Sequence, residues 1–295
     1  MNIGLADDPR LAFVGFGEAA QAFVSGWGET RPGHISAYDI KTDEEAHRAE
    51  IEARYQTLEV SGKLSLGDAL TTAQIVFSLV TADQALVAAR AAASYLAAGA
   101  LWLDCNSCAP DTKRQAAQTI ESAGGRYVDV AVMAPVHPKR HLVPLLLSGP
   151  HAGEAAGVLE ELGMRPAIAG ASIGEASAIK MIRSVMIKGL EALTAECFLA
   201  ARRAGVDAQV LASLKASDPD IDWQKRGSYN FERMMVHGAR RAAEMREVAA
   251  TLKSLGLPDR MASATADWQD EVARLELSAA QDGLAECADR ILCAI

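Results

Sequence analysis

The chain has 295 residues, half of them hydrophobic and 23% charged, a balance that suits a globular protein with room for two domains. A formal net charge of −9 without any basic block argues against nucleic acid or an anionic membrane as a partner. The polar, acidic start MNIGLADDPR does not read as a secretory signal, and the apolar run at 91–103 is too short to span a bilayer, so a cytoplasmic protein is expected.

From residue 11 to about 170, short apolar runs alternate with Ala-rich helical stretches. LAFVGFG (11–17) predicts a strand that ends in a glycine turn, and 18–28 continues as a helix. Strands follow at 34–40, 74–80, 100–106, 126–133 and 143–149, with helices at 44–55, 83–99, 110–125 and 151–163. Such alternation predicts an α/β fold of the Rossmann type, a doubly wound parallel sheet covered on both faces. After about residue 172 the strand signal stops. Helices are expected at 174–204, 207–216, 227–256 and 259–292, so the chain divides into a sheet domain (1–172) and an all-α C-terminal domain (173–295) for substrate binding and dimerisation.

The first strand–helix junction carries Gly15-x-Gly17-x-x-Ala20. The first glycine permits a tight turn, the second lets backbone approach a pyrophosphate, and the small third residue lets helix and strand pack closely. The helix start then faces the phosphates with unpaired N–H groups. Phe16, Glu18 and Ala19 belong to the same cradle, and Leu79, Val80 and Thr81 after the 74–80 strand are expected to line it. Asp39 ends the second strand about 20 residues on, where a carboxylate receives ribose hydroxyls. It repels a 2′-phosphate, so NAD is favoured over NADP, although Lys41 lies close enough to moderate that preference. A strand-end carboxylate that caps the next turn is the plainer reading of Asp39.

These residues resemble the β-hydroxyacid dehydrogenases, relatives of 6-phosphogluconate dehydrogenase. The glycine turn GFGEAA is one part of the likeness. DCNSCAPDT (104–112) is similar to the family's segment of Asp, small hydroxyl residues and Pro, and YVDVAVMAPV (127–136) to the strand that usually ends in Ser-Gly-Gly. GEASAIKMIRS (174–184) is similar to the helix that carries a catalytic Lys, and AECFLAARRAGVD (195–207) to its continuation. The resemblance implies a dinucleotide-binding domain followed by a helical one, with Asn106 and Ser107 toward substrate and nicotinamide. Departures bear on the substrate. Met133-Ala134-Pro135 replaces Ser-Gly-Gly and reduces the donors for a substrate carboxylate. Ser184 stands where the family has Asn, and Ala243-Glu244 replaces a Lys-Asp pair, with Arg240 and Arg241 one turn earlier.

In the helix from 174, Ser177, Lys180, Ser184, Lys188 and Glu191 fall on one side, within an arc of roughly 80°. The stripe faces either water or an interdomain cleft. Large apolar neighbours such as Ile179, Ile182 and Met186 favour a helix buried on most sides. The resemblance favours Lys180 as catalytic acid/base, with Ser184 and Asn106 beside it. Hydride transfer from an alcohol carbon needs the hydroxyl proton removed, which a Lys amine does if its pKa falls from about 10.4 toward 7–8. An i,i+3 ion pair explains Lys188 and Glu191 equally well.

The remaining features are read plainly. The resemblance implies substrate contacts at Ser107, Met133 and Ala134, and Arg240 or His237 either grips a substrate carboxylate or lies on a charged helix face. His137, Lys139, Arg140 and His141 read as a solvated loop or as a grip for an acidic substrate. Cys105 and Cys108 form a C-x-x-C without further ligands at matching spacing, so small thiols in a reducing compartment are expected and no metal. Together these readings predict an NAD(P)-dependent oxidoreductase for a small hydroxy or oxo acid, acting as a homodimer. Two alternatives stay open: a reductase of imines or larger carbonyl compounds, and a non-catalytic dinucleotide-binding protein.

Overall fold

The structure is a computed structural model that describes residues 9–28, 31–278 and 283–295. Its contacts divide the chain into two compact units, 1–180 and 181–295. The first begins with β1 (Arg10–Val14), α1 (Glu18–Trp27), β2 (His34–Tyr38), α2 (Glu45–Thr57), β3 (Ser61–Gly62) and α3 (Leu66–Leu70). It continues with β4 (Ile75–Ser78), α4 (Ala85–Ala92), β5 (Leu101–Asp104), α5 (Pro110–Ser122), β6 (Arg126–Val132), β7 (Pro144–Ser148), α6 (Ala152–Glu161) and β8 (Arg165–Gly170). Among the described residues these strands form one sheet in the order β3-β2-β1-β4-β5-β6-β7-β8.

The expectation of a parallel sheet holds through β6, and β7 corrects it. β6 pairs with β7 antiparallel, whereas β7 and β8 run parallel to each other. The physical reason is the connection. Residues 133–143 hold one short helical turn, Arg140–Leu142, in place of a crossover helix that would return the chain to the start of the sheet. The sequence reading also passed over β3, α3 and β8. β3 is two residues long, and β8 (RPAIAG) is an edge strand with Pro and Gly and no clean alternation.

Each face of the sheet has its own core. On one, Phe13 stacks on Phe77 with centroids 5.2 Å apart, and Phe23 and Trp27 of α1 close over them. On the other, Val76, Trp102 and Tyr127 pack with Ala89 of α4 and Ala116 and Ile120 of α5. Burial of each large side chain contributes about 1.5–3 kcal/mol, which fixes strand alternation and so decides which residues reach the strand ends.

α7 (Glu175–Arg203) belongs to the first unit through Lys180 and to the second from Met181. The second unit adds α8 (Asp207–Ser217), α9 (Trp223–Ser254), α10 (Arg260–Arg274) and α11 (Leu284–Ala294). Asp222 caps α9 by accepting from the Lys225 N–H at 3.0 Å. The single helix expected over 259–292 is two helices, and residues 279–282 of that stretch lie outside the described residues. One cluster packs Phe198 and Phe231 against Leu284 and Ile291, and a second packs Met181 against Met245, Val248 and Ala262.

The apolar flank of α7 departs from the expectation of burial. Met181 is buried, but Ile179, Ile182 and Met186 are exposed, Met186 by 64%. The polar stripe is what turns inward, because it finds hydrogen-bond and ion-pair partners there, as described below.

Candidate active site

The glycine turn follows β1 directly. Gly15 has φ +85° and donates its N–H to the Tyr38 carbonyl at 2.9 Å. A Cβ at this position would lie 2.5 Å from the Leu79 carbonyl oxygen, so glycine is required by both conformation and space. Gly17 stands at the start of α1, where a Cβ would meet nothing within 4 Å among the described residues. Phe16 turns its ring into the core and its N–H to Asp39 Oδ2 at 2.8 Å. Asp39 Oδ1 accepts from the Lys41 N–H at 3.0 Å. Asp39 therefore does cap the following turn, and it also ties that turn to the glycine loop. Glu18 is exposed in the first turn of α1, Ala19 is half-buried and Ala20 is buried.

Across the strand ends runs a row of polar side chains that sequence reasoning did not single out. Ser78, Asp104, Asp129 and Ser148 are register partners on β4, β5, β6 and β7, and all four are fully buried. Lys113 of α5 is equally buried and points into the row. Its Nζ donates to the Asp104 carbonyl at 2.6 Å and to Asp104 Oδ1 at 2.9 Å, and lies 3.3 Å from Asp129 Oδ1. Burial opposes the charge on this amine, but Asp104, Cys108 and Asp129 outweigh it and hold the pKa above the usual lysine range. Tyr127 donates its hydroxyl to Asp104 Oδ2 at 2.6 Å; burial first, then Asp104, raises its pKa.

The signal for these residues was present. Asp104 and Asp129 interrupt the apolar strands LWLD and RYVDVAV, and Lys113 falls on the same helical face as Ala116, Ala117 and Ile120. A charge at a core position of a periodic pattern marks either a misassigned element or a buried ion pair.

Asn106 follows the row and is enclosed by it. Its amide donates to Ser78 Oγ at 3.0 Å and to Asp104 Oδ1 at 2.8 Å, and its oxygen accepts from the Val80 N–H at 2.7 Å. The side chain thus joins the ends of β4 and β5. Ser107, the next residue, is half-buried and accepts from Lys180 Nζ at 2.6 Å. The structure therefore brings Lys180 and Ser107 together, with Asn106 beneath as a brace. Leu79 and Val80 are half-buried at the same strand end, and Thr81 is exposed. Met133 and Ala134 are half-buried, the Met133 N–H donates to the Pro144 carbonyl at 2.9 Å, and Pro135 has no N–H. Cys105 is buried, which pushes its thiol pKa up to about 12, and Cys108 is buried too. Among the described residues no group of three His, Cys, Asp or Glu side chains is gathered for a metal ion.

The rest of the stripe is held within the helical unit. Ser184 accepts from Lys188 Nζ at 3.3 Å, and Lys188 pairs with Glu244 at 2.7 Å. Glu191 pairs with Arg241 at 2.9 Å and accepts from Gln269 at 2.8 Å. Burial raises the Glu191 pKa against the pull of Arg241. Of the two adjacent arginines, Arg241 is the buried one and Arg240 is exposed.

Residues 10–152 match the model of the NAD binding domain of 6-phosphogluconate dehydrogenase, and residues 201–272 match a domain of unknown function. A conserved hypothetical protein from Sinorhizobium meliloti 1021 shares 36% identity over 97% of both chains, with a TM-score of 0.76. A conserved protein of unknown function, described as structurally similar to 3-hydroxyacid dehydrogenases, shares 31% identity over 90% of this chain and 98% of its own, with a TM-score of 0.68. The chain belongs to the β-hydroxyacid dehydrogenase-like family. Mycobacterium tuberculosis 3-hydroxyisobutyrate dehydrogenase, at 16% identity, has the same fold, with a TM-score of 0.73 over 97% of this chain and 99% of its own.

As a β-hydroxyacid dehydrogenase-like protein, the chain has a nicotinamide-dinucleotide-binding fold, and the residues present fit that group. The open space beside Gly17 and the start of α1 suit a pyrophosphate, and Asp39 keeps lone pairs on both oxygens for ribose hydroxyls. Among the described residues no helix is long and apolar enough to cross a membrane. Replacing Gly15 with Ala is expected to displace the turn from the Leu79 carbonyl, with backbone strain of roughly 1–3 kcal/mol. Calorimetric titration should show dinucleotide affinity reduced by about tenfold or more.

Proposed function

We propose that this protein is an oxidoreductase that exchanges a hydride between a nicotinamide dinucleotide and a small hydroxy or oxo acid, with Lys180 as general acid/base. The observation that carries the reading is the contact of Lys180 Nζ with Ser107 Oγ at 2.6 Å, beyond the carboxyl end of β5. In an open α/β sheet, that end is where ligands bind.

When bound, the nicotinamide takes up or supplies the hydride. The remaining work falls to side chains of this chain. The Gly15–Gly17 turn and the start of α1 hold the pyrophosphate, Asp39 receives the ribose, and Leu79, Val80 and Thr81 flank the ring side. In oxidation, the neutral Lys180 amine takes the proton from the substrate hydroxyl. In reduction, its ammonium polarises the carbonyl and returns the proton. Ser107, both donor and acceptor, orients the amine in either state.

Asp39 supports a preference for NAD, because a buried carboxylate disfavours a 2′-phosphate beside it. The Met133-Ala134-Pro135 segment supports a second reading, reduction of an imine or a larger carbonyl compound. Its N–H at 133 is engaged by Pro144 and it has none at 135, which weakens any hold on a substrate carboxylate there. Among the described residues the cysteines are free, which suits a reducing compartment. Ile182, Met186 and Leu193 lie along one side of α7 and are exposed, which supports a homodimer that covers them.

Lys180→Ala is expected to lower kcat by about 10²–10⁴ while leaving the dinucleotide Kd unchanged. The test is nicotinamide absorbance with hydroxy acids, oxo acids and cyclic imines; retained turnover in the variant rejects Lys180 as acid/base, and turnover of imines alone selects the second reading. For the wild type, kcat/KM with NAD should exceed that with NADP by about tenfold or more, and Asp39→Ser should narrow the ratio. Light scattering at micromolar concentration should give twice the chain mass, and Met186→Glu should give the monomer.

A further inference from the structure

We infer that Asp129, braced by Lys113, is the positioning residue that seats the start of α7 and so sets the place of Lys180. The inference rests on the reading of Lys180 given above and assigns the device that holds it.

The first turn of an α-helix leaves N–H groups without partners inside the helix and favours negative charge beside it. At α7 these needs are met from the sheet. The Ala176 N–H donates to Ser148 Oγ at 3.0 Å. The Ser177 N–H and its hydroxyl each donate to Asp129 Oδ2 at 3.0 Å, and Ser148 donates its own hydroxyl to the same oxygen at 3.0 Å. One carboxylate oxygen thus collects three donors, two of them from α7. Lys180 follows Ser177 by three residues, on the same helical face and about 4.5 Å further along the axis. The seat is therefore under one turn away from the amine it locates.

The other half of the Lys180–Ser107 contact is set by the same cluster. Asp104 Oδ1 accepts both the Asn106 N–H at 3.0 Å and the Asn106 amide at 2.8 Å, which fixes the backbone just before Ser107. Lys113 bonds Asp104 and approaches Asp129 Oδ1 at 3.3 Å. One buried ammonium therefore ties the seat of the amine to the seat of the hydroxyl. Asp129 Oδ1 makes that ion pair and accepts no hydrogen bond among the described residues, so its role in the cluster is electrostatic. A neutral amide of the same shape has a single uncharged oxygen for the three donors gathered at Oδ2, so it holds the start of α7 less firmly, and it loses the tie to Lys113.

The test compares the full-length wild type, Asp129→Asn and Ser177→Ala. Ser177→Ala removes the hydroxyl that donates to Asp129, leaves every charge of the cluster in place, and serves if Asp129→Asn fails to fold. Two readouts need no turnover: hydrogen exchange of the 175–180 amides, and labelling of the Lys180 amine by acetic anhydride, read by mass spectrometry. Both variants should speed exchange of the 175–180 amides by about tenfold or more, with amides of β1 and β4 unchanged. The labelling rate of Lys180 should shift with them, and kcat should fall by about tenfold with dinucleotide Kd intact. Wild-type exchange and wild-type labelling in the variants that fold overturn the inference. If Lys180→Ala retains turnover, the acid/base reading falls instead, while exchange and labelling still decide whether Asp129 seats the helix.

Discussion

A lysine ammonium with no exposure to water sits inside the first unit, and the geometry of the strand ends depends on its having two carboxylates to face. Moving an ion from water into a protein interior costs several kcal/mol, and attraction offsets that only where hydrogen bonds complete the arrangement. Here they do: Lys113 has the Asp104 carbonyl as well as its carboxylate, and Tyr127, Asn106, Ser148 and Ser177 supply donors to the two aspartates. The cluster has an excess of one negative charge, and it lies against the positive end of α7. Removing Lys113 would leave the two buried carboxylates without a counter-ion, at a cost of about 3–5 kcal/mol. β5, α5, β6, β7 and α7 therefore hold a single relative placement in this unit.

That rigidity suits what the unit offers at its strand ends. The glycine turn presents backbone and open space, and it is tied to the end of β2 through Phe16 and Asp39. The Lys180–Ser107 pair presents a proton donor and acceptor, and it is tied to β5 and β6 through Asp104 and Asp129. Both depend on carboxylates that accept backbone N–H groups, an arrangement stiffer than side chains reaching through loops. The segment at 133–135 has its Met133 N–H engaged by the Pro144 carbonyl and no N–H at Pro135, and it follows the strand whose partner runs the other way.

How much of this could be read from the sequence depends on how local each signal was. The glycine turn and the place of Asp39 were legible because two strands, one turn and one helix generate them within 30 residues. Lys180 was singled out by its spacing to Ser177 and Ser184 and by the likeness of its helix to the family's. Asp129 and Lys113 were not, since their partners lie on other elements, which periodicity treats as separate. Asn106 was assigned to the reacting groups, yet its side-chain amide bonds Ser78 and Val80 at the end of the neighbouring strand, a contact that only strand order reveals. The apolar flank of α7 misled for a related reason. Hydrophobicity predicts that Ile182 and Met186 avoid water, but does not say that their own chain covers them. The reversal of β7 was hidden because an apolar run carries no direction.

The row from Ser78 to Ser148 also constrains how such a chain can diverge. Lys113 is what its two carboxylates share, so a neutral residue at 113 leaves two like charges facing each other across neighbouring strands. Drift at 104, 113 or 129 is tolerable when a partner position changes with it, by a concerted or closely successive exchange. In an alignment these three columns should covary, and the stretch from 104 to 129 should be inherited as a block while the surface helices around it vary freely.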